Sequence, residues 1–342
     1  MQEVVTDINR WRSEDQPVAL ATVIQTWGSA PRKAGAKMAV TPEGQLSGSV
    51  SGGCVEGAVY EEAVAALENH KPKLLSYGVA DETAWEVGLA CGGSIQIFVE
   101  GLHNEIYEAI DHLLAEERAG AVATVIAGDE ALLGAKLFID TQGKRLGGIT
   151  AALDEPIVKQ MKTAIKQGKV QRVTLPDSDL ELFIDVFLPP PQLVMVGGVH
   201  IAVALAALAK TLGYRTIVVD PRRAFGSDER FPHADALIQK WPEKAFAEIT
   251  INENTAVALL THDPKIDDPA LGVVLNSPAF YVGALGSSKT HAKRVVRLQE
   301  AGFDEQTIGR IYGPIGLDIG AQNPEEIALS VLGEIVKARH SG

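Results

Sequence analysis

The run Ser47-Gly48-Ser49-Val50-Ser51-Gly52-Gly53-Cys54-Val55-Glu56-Gly57 sets one of only two cysteines in the chain where a glycine-rich turn gives way to an expected helix, 54–69. Glycines permit a tight turn and close approach to a ligand, and unpaired N–H groups in the first turn of a helix carry partial positive charge. A thiolate is stabilised in such a place, below the ordinary cysteine value of about 8.5. Cys54 is therefore a candidate nucleophile, sulfur carrier or metal contact. The plainer alternative is a small buried hydrophobe. The other cysteine, Cys91, precedes Gly92 and Gly93. Two cysteines cannot supply the four ligands of a structural zinc site, and a disulfide is not expected in a reducing cytosol.

A second set of chemically capable residues lies in the C-terminal half. LVMVGG reads as a strand, VHIAVALAALAKTLG as an amphipathic helix, and YRTIVVD as a second strand ending at Asp220. This outlines a dinucleotide-binding βαβ unit, with Gly197 and Gly198 in the turn and Asp220 placed to meet a ribose hydroxyl. Val199 stands where G-x-G-x-x-G has its second glycine, so tight NAD(P) binding is not expected, although an anion could rest on the helix N-terminus at Val199–His200. His200 either faces such a ligand or caps the turn. Thr261-His262-Asp263 and Gly286-Ser287-Ser288-Lys289 follow later strands, where open sheets bind ligands, and with Arg222 they form a candidate polar cluster. Arg222 and Arg223 are candidate phosphate ligands, whereas Lys293, Arg294 and Arg297 read as a solvated helix face.

The elements that must position these residues come from an internal duplication and a Rossmann-like unit. PVALATVIQ (17–25) matches AVATVIAG (121–128), and GAKMAVTPEGQLSGSV (35–50) matches GAKLFIDTQGKRLGGI (134–149) at a constant offset of 99. The expected helix 54–69 has a counterpart at 154–168, KLLSY (73–77) at 171–175, and IQIFV (95–99) at 182–186. Each copy reads strand, loop, hairpin, helix, strand, strand, and helices over 3–13 and 104–117 precede them. Copy one alone has the basic loop WGSAPRKAG (27–35), the SGGCVE turn that becomes TAALDE, and an insertion after Tyr77 that carries Cys91. Both thiols thus belong to what the first copy adds to a shared scaffold. The division expected is residues 1–188, a duplicated α+β part with copies at 17–101 and 120–188, and residues 189–342, a doubly wound parallel α/β domain after the stiff Pro189-Pro190-Pro191. Its further strands are expected at 236–239, 255–260 and 280–285, and its helices at 288–301 and 324–339.

Composition bounds the partners. The 342 residues, 46% hydrophobic and 22% charged, carry a formal net charge of −13, which argues against nucleic acid or an anionic membrane as the main partner. The first residues lack the pattern of a signal peptide, and no run of about 18 apolar residues occurs. A cytoplasmic protein is expected.

In GSAPRKAGAKM (28–38), SGSVSGGCVEG (47–57), GLACGGSIQIFVE (88–100), VGGVHIAVAL (196–205), VVDPR (218–222), RFPHAD (230–235), THDPKID (261–267), YVGALGSSKTH (281–291) and GLDIGAQNPEEIALS (316–330), the chain resembles the XdhC/CoxI proteins, accessory factors for molybdenum hydroxylases such as xanthine dehydrogenase. The resemblance implies a protein that binds the molybdenum cofactor (molybdopterin, mononucleotide or dinucleotide), protects it, assists a cysteine desulfurase in exchanging an oxo ligand for sulfur, and delivers it to apo-xanthine dehydrogenase. Under it, backbone N–H groups of Ser51, Gly52 and Gly53 with Arg32 and Lys37 would hold the pterin phosphate, and Cys54 would meet molybdenum or carry a persulfide, with Cys91 close by. Glu56 would orient a proton or a pterin nitrogen, or simply serve the helix dipole. Gly197, Gly198, His200, Asp220, Arg222, His262 and Ser287 would hold a nucleotide part, if any is held. Two other readings stay open: an NAD(P)-dependent oxidoreductase or redox subunit with His200 and His262 as acid/base groups, and a protein scaffold. A homodimer is expected, since symmetric dimers are common.

Overall fold

The repeated segments of the first half fold as repeated sheets. The computed structural model describes residues 1–28, 32–78, 93–175 and 178–341, and they fall into two units, Met1–Pro189 and Pro190–Gly342. In the first unit, α1 (Val5–Ser13) leads into β1 (Ala19–Trp27), β2 (Lys37–Val40), β3 (Leu46–Gly48), α2 (Glu56–Asn69), β4 (Lys73–Tyr77) and β5 (Ser94–Gly101). Then α3 (Asn104–Ala115) leads into β6 (Gly120–Ala127), β7 (Lys136–Asp140), β8 (Arg145–Gly147), α4 (Asp154–Gln167), β9 (Gln171–Thr174) and β10 (Glu181–Phe187). Both sheets are antiparallel with equivalent strand orders, β3-β2-β1-β5-β4 and β8-β7-β6-β10-β9.

Strand alternation decides what each face does. Ala19, Ala21 and Val23 of β1 pack under α2 with Val59, Ala63 and Ala66, and Ala121, Ala123 and Val125 of β6 pack under α4 with Ile157, Met161 and Ala164. The opposite faces meet each other: Ile24 and Phe98 of copy one join Ile126 and Phe183 of copy two in one buried cluster. The last strand pair corrects the expected alignment. Phe98 lies opposite Thr22 and Phe183 opposite Thr124, so the equivalent of Phe98 is Phe183 and that of Glu100 is Asp185. The expected match of 95–99 with 182–186 is two residues out of step. A slip of two leaves every side chain on the same face, so apolar alternation alone does not reveal it.

The second unit contains β11 (Gln192–Val196), α5 (His200–Thr211), β12 (Arg215–Val219), a 3-10 turn at Arg223–Phe225, β13 (Ala236–Ile238), α6 (Pro242–Phe246) and β14 (Thr255–Leu259). It continues with α7 (Pro264–Val274), β15 (Tyr281–Ala284), α8 (Ser288–Glu300), α9 (Glu305–Ile308), β16 (Ile311–Tyr312) and α10 (Pro324–Ser341). The sheet is parallel in the order β13-β12-β11-β14-β15-β16, a Rossmann-like arrangement. One face is covered by α5 and α10, the other by α6, α7 and α8. The order reverses between β11 and β14, which puts the crevice for a ligand beside the loops after Val196 and Leu259. The helix α7 escapes sequence reading because Pro269 lies inside it; Pro264 opens it, and the Asp263 side chain caps it by accepting from the Lys265 N–H. Among the described residues, no helix is long and apolar enough to cross a membrane.

Candidate functional site

The loop before α2 closes on a single carboxylate. Glu56 Oε1 accepts from Ser49 Oγ at 2.7 Å and from the N–H groups of Val50 (3.2 Å), Ser51 (2.9 Å) and Gly52 (3.0 Å). Its Oε2 accepts from the Gly53 N–H at 2.8 Å and from Ser51 Oγ. Burial by itself would raise the Glu56 pKa, but hydrogen bonds from Ser51, Ser49 and Gly53 outweigh it and bring the value down to about 2. Ser51 Oγ in turn accepts from the N–H groups of Cys54 and Val55, each at 3.0 Å. Cys54 is half-buried and packs on the apolar cluster that holds Val55 and Val59.

These contacts change three expectations. The helix begins at Glu56, so Cys54 lies two residues before its first turn. The N–H groups of Ser51, Gly52 and Gly53, expected to hold a phosphate, donate to the chain's own carboxylate. Glu56 is an ionised acceptor at neutral pH, so it has no proton to give. In copy two the corresponding turn is plainer: Asp154 accepts from the N–H groups of Ile149 and Thr150, and Glu155 pairs with Arg145.

Arg32 braces the same loop, with Nε donating to Ser49 O at 3.0 Å and Nη2 paired with Glu3 at 2.5 Å. Lys37 does not belong there. Its neighbour Met38 faces the Cys54 side, so strand alternation sends Lys37 to the opposite face. It lines a cavity of about 50 Å³ between the two sheets. Its Nζ lies 2.6 Å from Asp185 and 3.2 Å from Thr22 Oγ1. The second copy answers with Lys136, 2.7 Å from Glu100 and 2.9 Å from Thr124 Oγ1. Each lysine thus pairs with the carboxylate of the other copy, and the four partners sit at equivalent strand positions. Sequence reading missed Glu100, Lys136 and Asp185. The signal was present, since GAK occurs at 35–37 and again at 134–136, a cation kept at the same place in two apolar strands. Cys91 lies outside the described residues.

In the second unit, Asp220 is buried, and its Oδ2 accepts from the Gly198 N–H at 2.8 Å and from Arg222 Nη2 at 2.7 Å. Its Oδ1 accepts from the N–H of Arg222 and from Arg222 Nε, both at 2.9 Å. Burial works against its charge, but the bonds from Arg222 and Gly198 prevail and hold its pKa below the ordinary range. Asp220 therefore meets Arg222 where a ribose hydroxyl was expected. Gly197 is hemmed in, because a Cβ there would lie 2.4 Å from Thr261 Cγ2. His200 stands exposed at the start of α5, its Nε2 3.6 Å from Glu325. His262 is exposed, and Ser287 caps α8 by accepting from the Thr290 N–H at 3.2 Å. Arg294, expected on a solvated face, is 1% exposed; Nη2 donates to Leu285 O at 2.9 Å, and Asp267 and Thr261 lie beyond it.

Residues 11–78 match the XdhC and CoxI family, and residues 193–335 match the XdhC Rossmann domain. The chain is 33% identical over 334 residues to a probable xanthine dehydrogenase subunit of Bacillus subtilis (strain 168), covering 95% of this chain and 94% of that one. The chain belongs to the XdhC and CoxI family. Another relative of this XdhC/CoxI chain is "Molybdenum cofactor insertion chaperone PaoD" of Escherichia coli (strain K12), 28% identical over 323 residues, covering 94% of this chain and 83% of that one. "Uncharacterized protein YqeB" of the same strain is 25% identical over 339 residues; this chain spans 99% of its own length there but 46% of YqeB. A solved structure described as a xanthine dehydrogenase from Bacillus halodurans superimposes with a TM-score of 0.80, over 98% of this chain and 96% of that one. At 24% identity that likeness establishes a shared fold.

Proposed function

We propose that this XdhC/CoxI protein carries the molybdenum cofactor as cargo, holds it while a cysteine desulfurase sulfurates it, and inserts it into an apo-enzyme of the xanthine dehydrogenase type, working as a homodimer. The observation that carries the reading is the near full-length similarity to a molybdenum cofactor insertion chaperone, combined with a thiol that copy two lacks: Leu153, expected opposite Cys54, precedes α4 as Val55 precedes α2, so Ala152 stands at the place of Cys54. Cys54 suits the metal end of the cargo, since molybdenum favours soft thiolate donors. The surface beside it is open: Gly52 and Gly53 are exposed, and a Cβ on Gly53 would meet nothing within 4 Å. The pterin phosphate does not fit the Ser51–Gly53 donors while Glu56 occupies them. The role of Glu56 is to fix the loop that presents Cys54, and Arg32 supports it through Ser49. An NAD(P)-dependent oxidoreductase is disfavoured because its acid/base candidates stand in water rather than in an enclosed crevice: His200 is exposed beside Glu325, and His262 is exposed.

The test uses the full chain mixed with the molybdenum-loaded cofactor. Molybdenum should co-elute with the protein in gel filtration, and Cys54→Ala should lower the yield of active dehydrogenase in a reconstitution with the desulfurase. Loss of all cofactor on the column, together with unimpaired maturation by the alanine variant, would sink the assignment.

A further inference from the structure

The crevice at the switch point of the parallel sheet is closed from within. Beyond Arg222 the chain makes the turn Arg223–Phe225, and the Phe225 carbonyl comes down on the glycine-rich loop. A Cβ built on Gly198 would lie 2.0 Å from Phe225 O. The turn is fastened on several sides. The Arg222 guanidinium grips Asp220 through two nitrogens and stacks over the Phe225 ring at 4.0 Å. Arg230 Nη1 donates to Ala224 O at 3.1 Å, and its guanidinium covers the same ring at 5.5 Å. Gln239 Nε2 donates to Gly226 O on the far side.

The glycine at 198 is explained by this contact. In G-x-G-x-x-G the position after the first glycine is variable, so a bound dinucleotide does not require glycine there. The Phe225 carbonyl does, because no side chain fits between it and the Gly198 Cα. The ribose and first phosphate of a nucleotide lie between the glycine loop and the acid ending the second strand. In this chain Phe225 and Arg222 hold that ground.

We propose that the Arg222–Phe225 turn is an intramolecular plug over a ribose-diphosphate site in the parallel-sheet unit. The site is shut in the free protein and opens when the turn lifts and Asp220 is released from Arg222. The proposal stands apart from the cofactor reading of the first unit, and its test involves no molybdenum.

The probe is ADP, titrated by calorimetry against the full chain and two variants. Gly198→Ala puts a methyl where Phe225 O now lies, and the Gly198 backbone is outside the left-handed region, so alanine is tolerated once the turn moves. Arg222→Ala removes the clamp and leaves Asp220 in place. A plug that leaves about a tenth or less of the molecules open lowers apparent affinity by at least about tenfold, so both variants should bind ADP at least about tenfold more tightly than wild type. Trypsin should also cut faster after Arg223 in Gly198→Ala. Wild type binding ADP as tightly as the variants, or folded variants binding no better than wild type, overturns the proposal. Should Gly198→Ala fail to fold, Arg222→Ala decides the matter alone, because the Arg222 side chain is partly exposed.

Discussion

Replacing Lys37 by methionine removes one charge from the crossed ion pairs between the duplicated sheets and leaves Asp185 buried without its cation. The pair is tight, 2.6 Å between Lys37 Nζ and Asp185 Oδ2, and the side chains are 3% and 12% exposed. At that distance, with an effective dielectric of about 20, the gross attraction is about 6 kcal/mol, and desolvating two ions costs about as much. The intact pair should therefore contribute little net stability, whereas the broken pair should be expensive. Lys37→Met and Asp185→Leu should each destabilise the first unit by about 3–5 kcal/mol. The double variant should lie near wild type or up to about 4 kcal/mol above it, because two apolar chains satisfy each other. The extra volume of leucine has the cavity of about 50 Å³ to enter. The assay is urea unfolding followed by tryptophan fluorescence, with Trp11, 1% exposed, reporting on the first unit, and the fit must allow a separate transition for the second unit. Single variants that cost under about 1 kcal/mol, or a double variant that costs the sum of the two, would refute the reasoning.

The Glu56 collar predicts a pH signature. Its folded pKa of about 2 lies below the ordinary 4.5, so its contribution is complete above 4.5 and is lost as pH falls through about 2. Glu56→Gln should be less stable than wild type at pH 7, and the gap in melting temperature should narrow as pH drops from 4.5 towards 2; a constant gap counts against the collar. The duplication predicts matched glycines. Gly48 and Gly147 have φ of +76° and +72°, and a Cβ on each would lie 2.3 Å from Lys37 O and Lys136 O. Alanine at either should cost about 1–3 kcal/mol from backbone strain, with the clash added, and denaturant midpoints close to wild type for both would contradict the shared geometry.

Much of the architecture was legible in the chain because it depends on local period and repetition. The offset between GAK at 35–37 and at 134–136 is a statement about sequence alone, and it implies two similar sheets. The break at Pro189-Pro190-Pro191 and the strand-helix alternation after it announced a parallel sheet, and the XdhC/CoxI motifs indicated the family. Element edges and breaker-rich helices were less legible: α7 hid behind Pro269, and α2 starts two residues later than the glycine turn suggests. The Glu56 collar lay beyond reach because six donors converge on it only after the loop has folded back.

What the sequence by itself determined is therefore the inventory: a thiol turn in one copy, a duplicated scaffold and a Rossmann-like unit with a weakened fingerprint. Which groups remain available to a ligand was decided by tertiary structure. Lys37 is a strand residue whose direction follows from parity, but its partner, Asp185, arrives from the other copy. Asp220 and Gly198 read as a nucleotide site until the Arg222–Phe225 turn is seen to cover them. The physical reason is common to all three cases. A buried charge or N–H must find a partner, and the chain supplies that partner from a distance that neither periodicity nor motif spacing records.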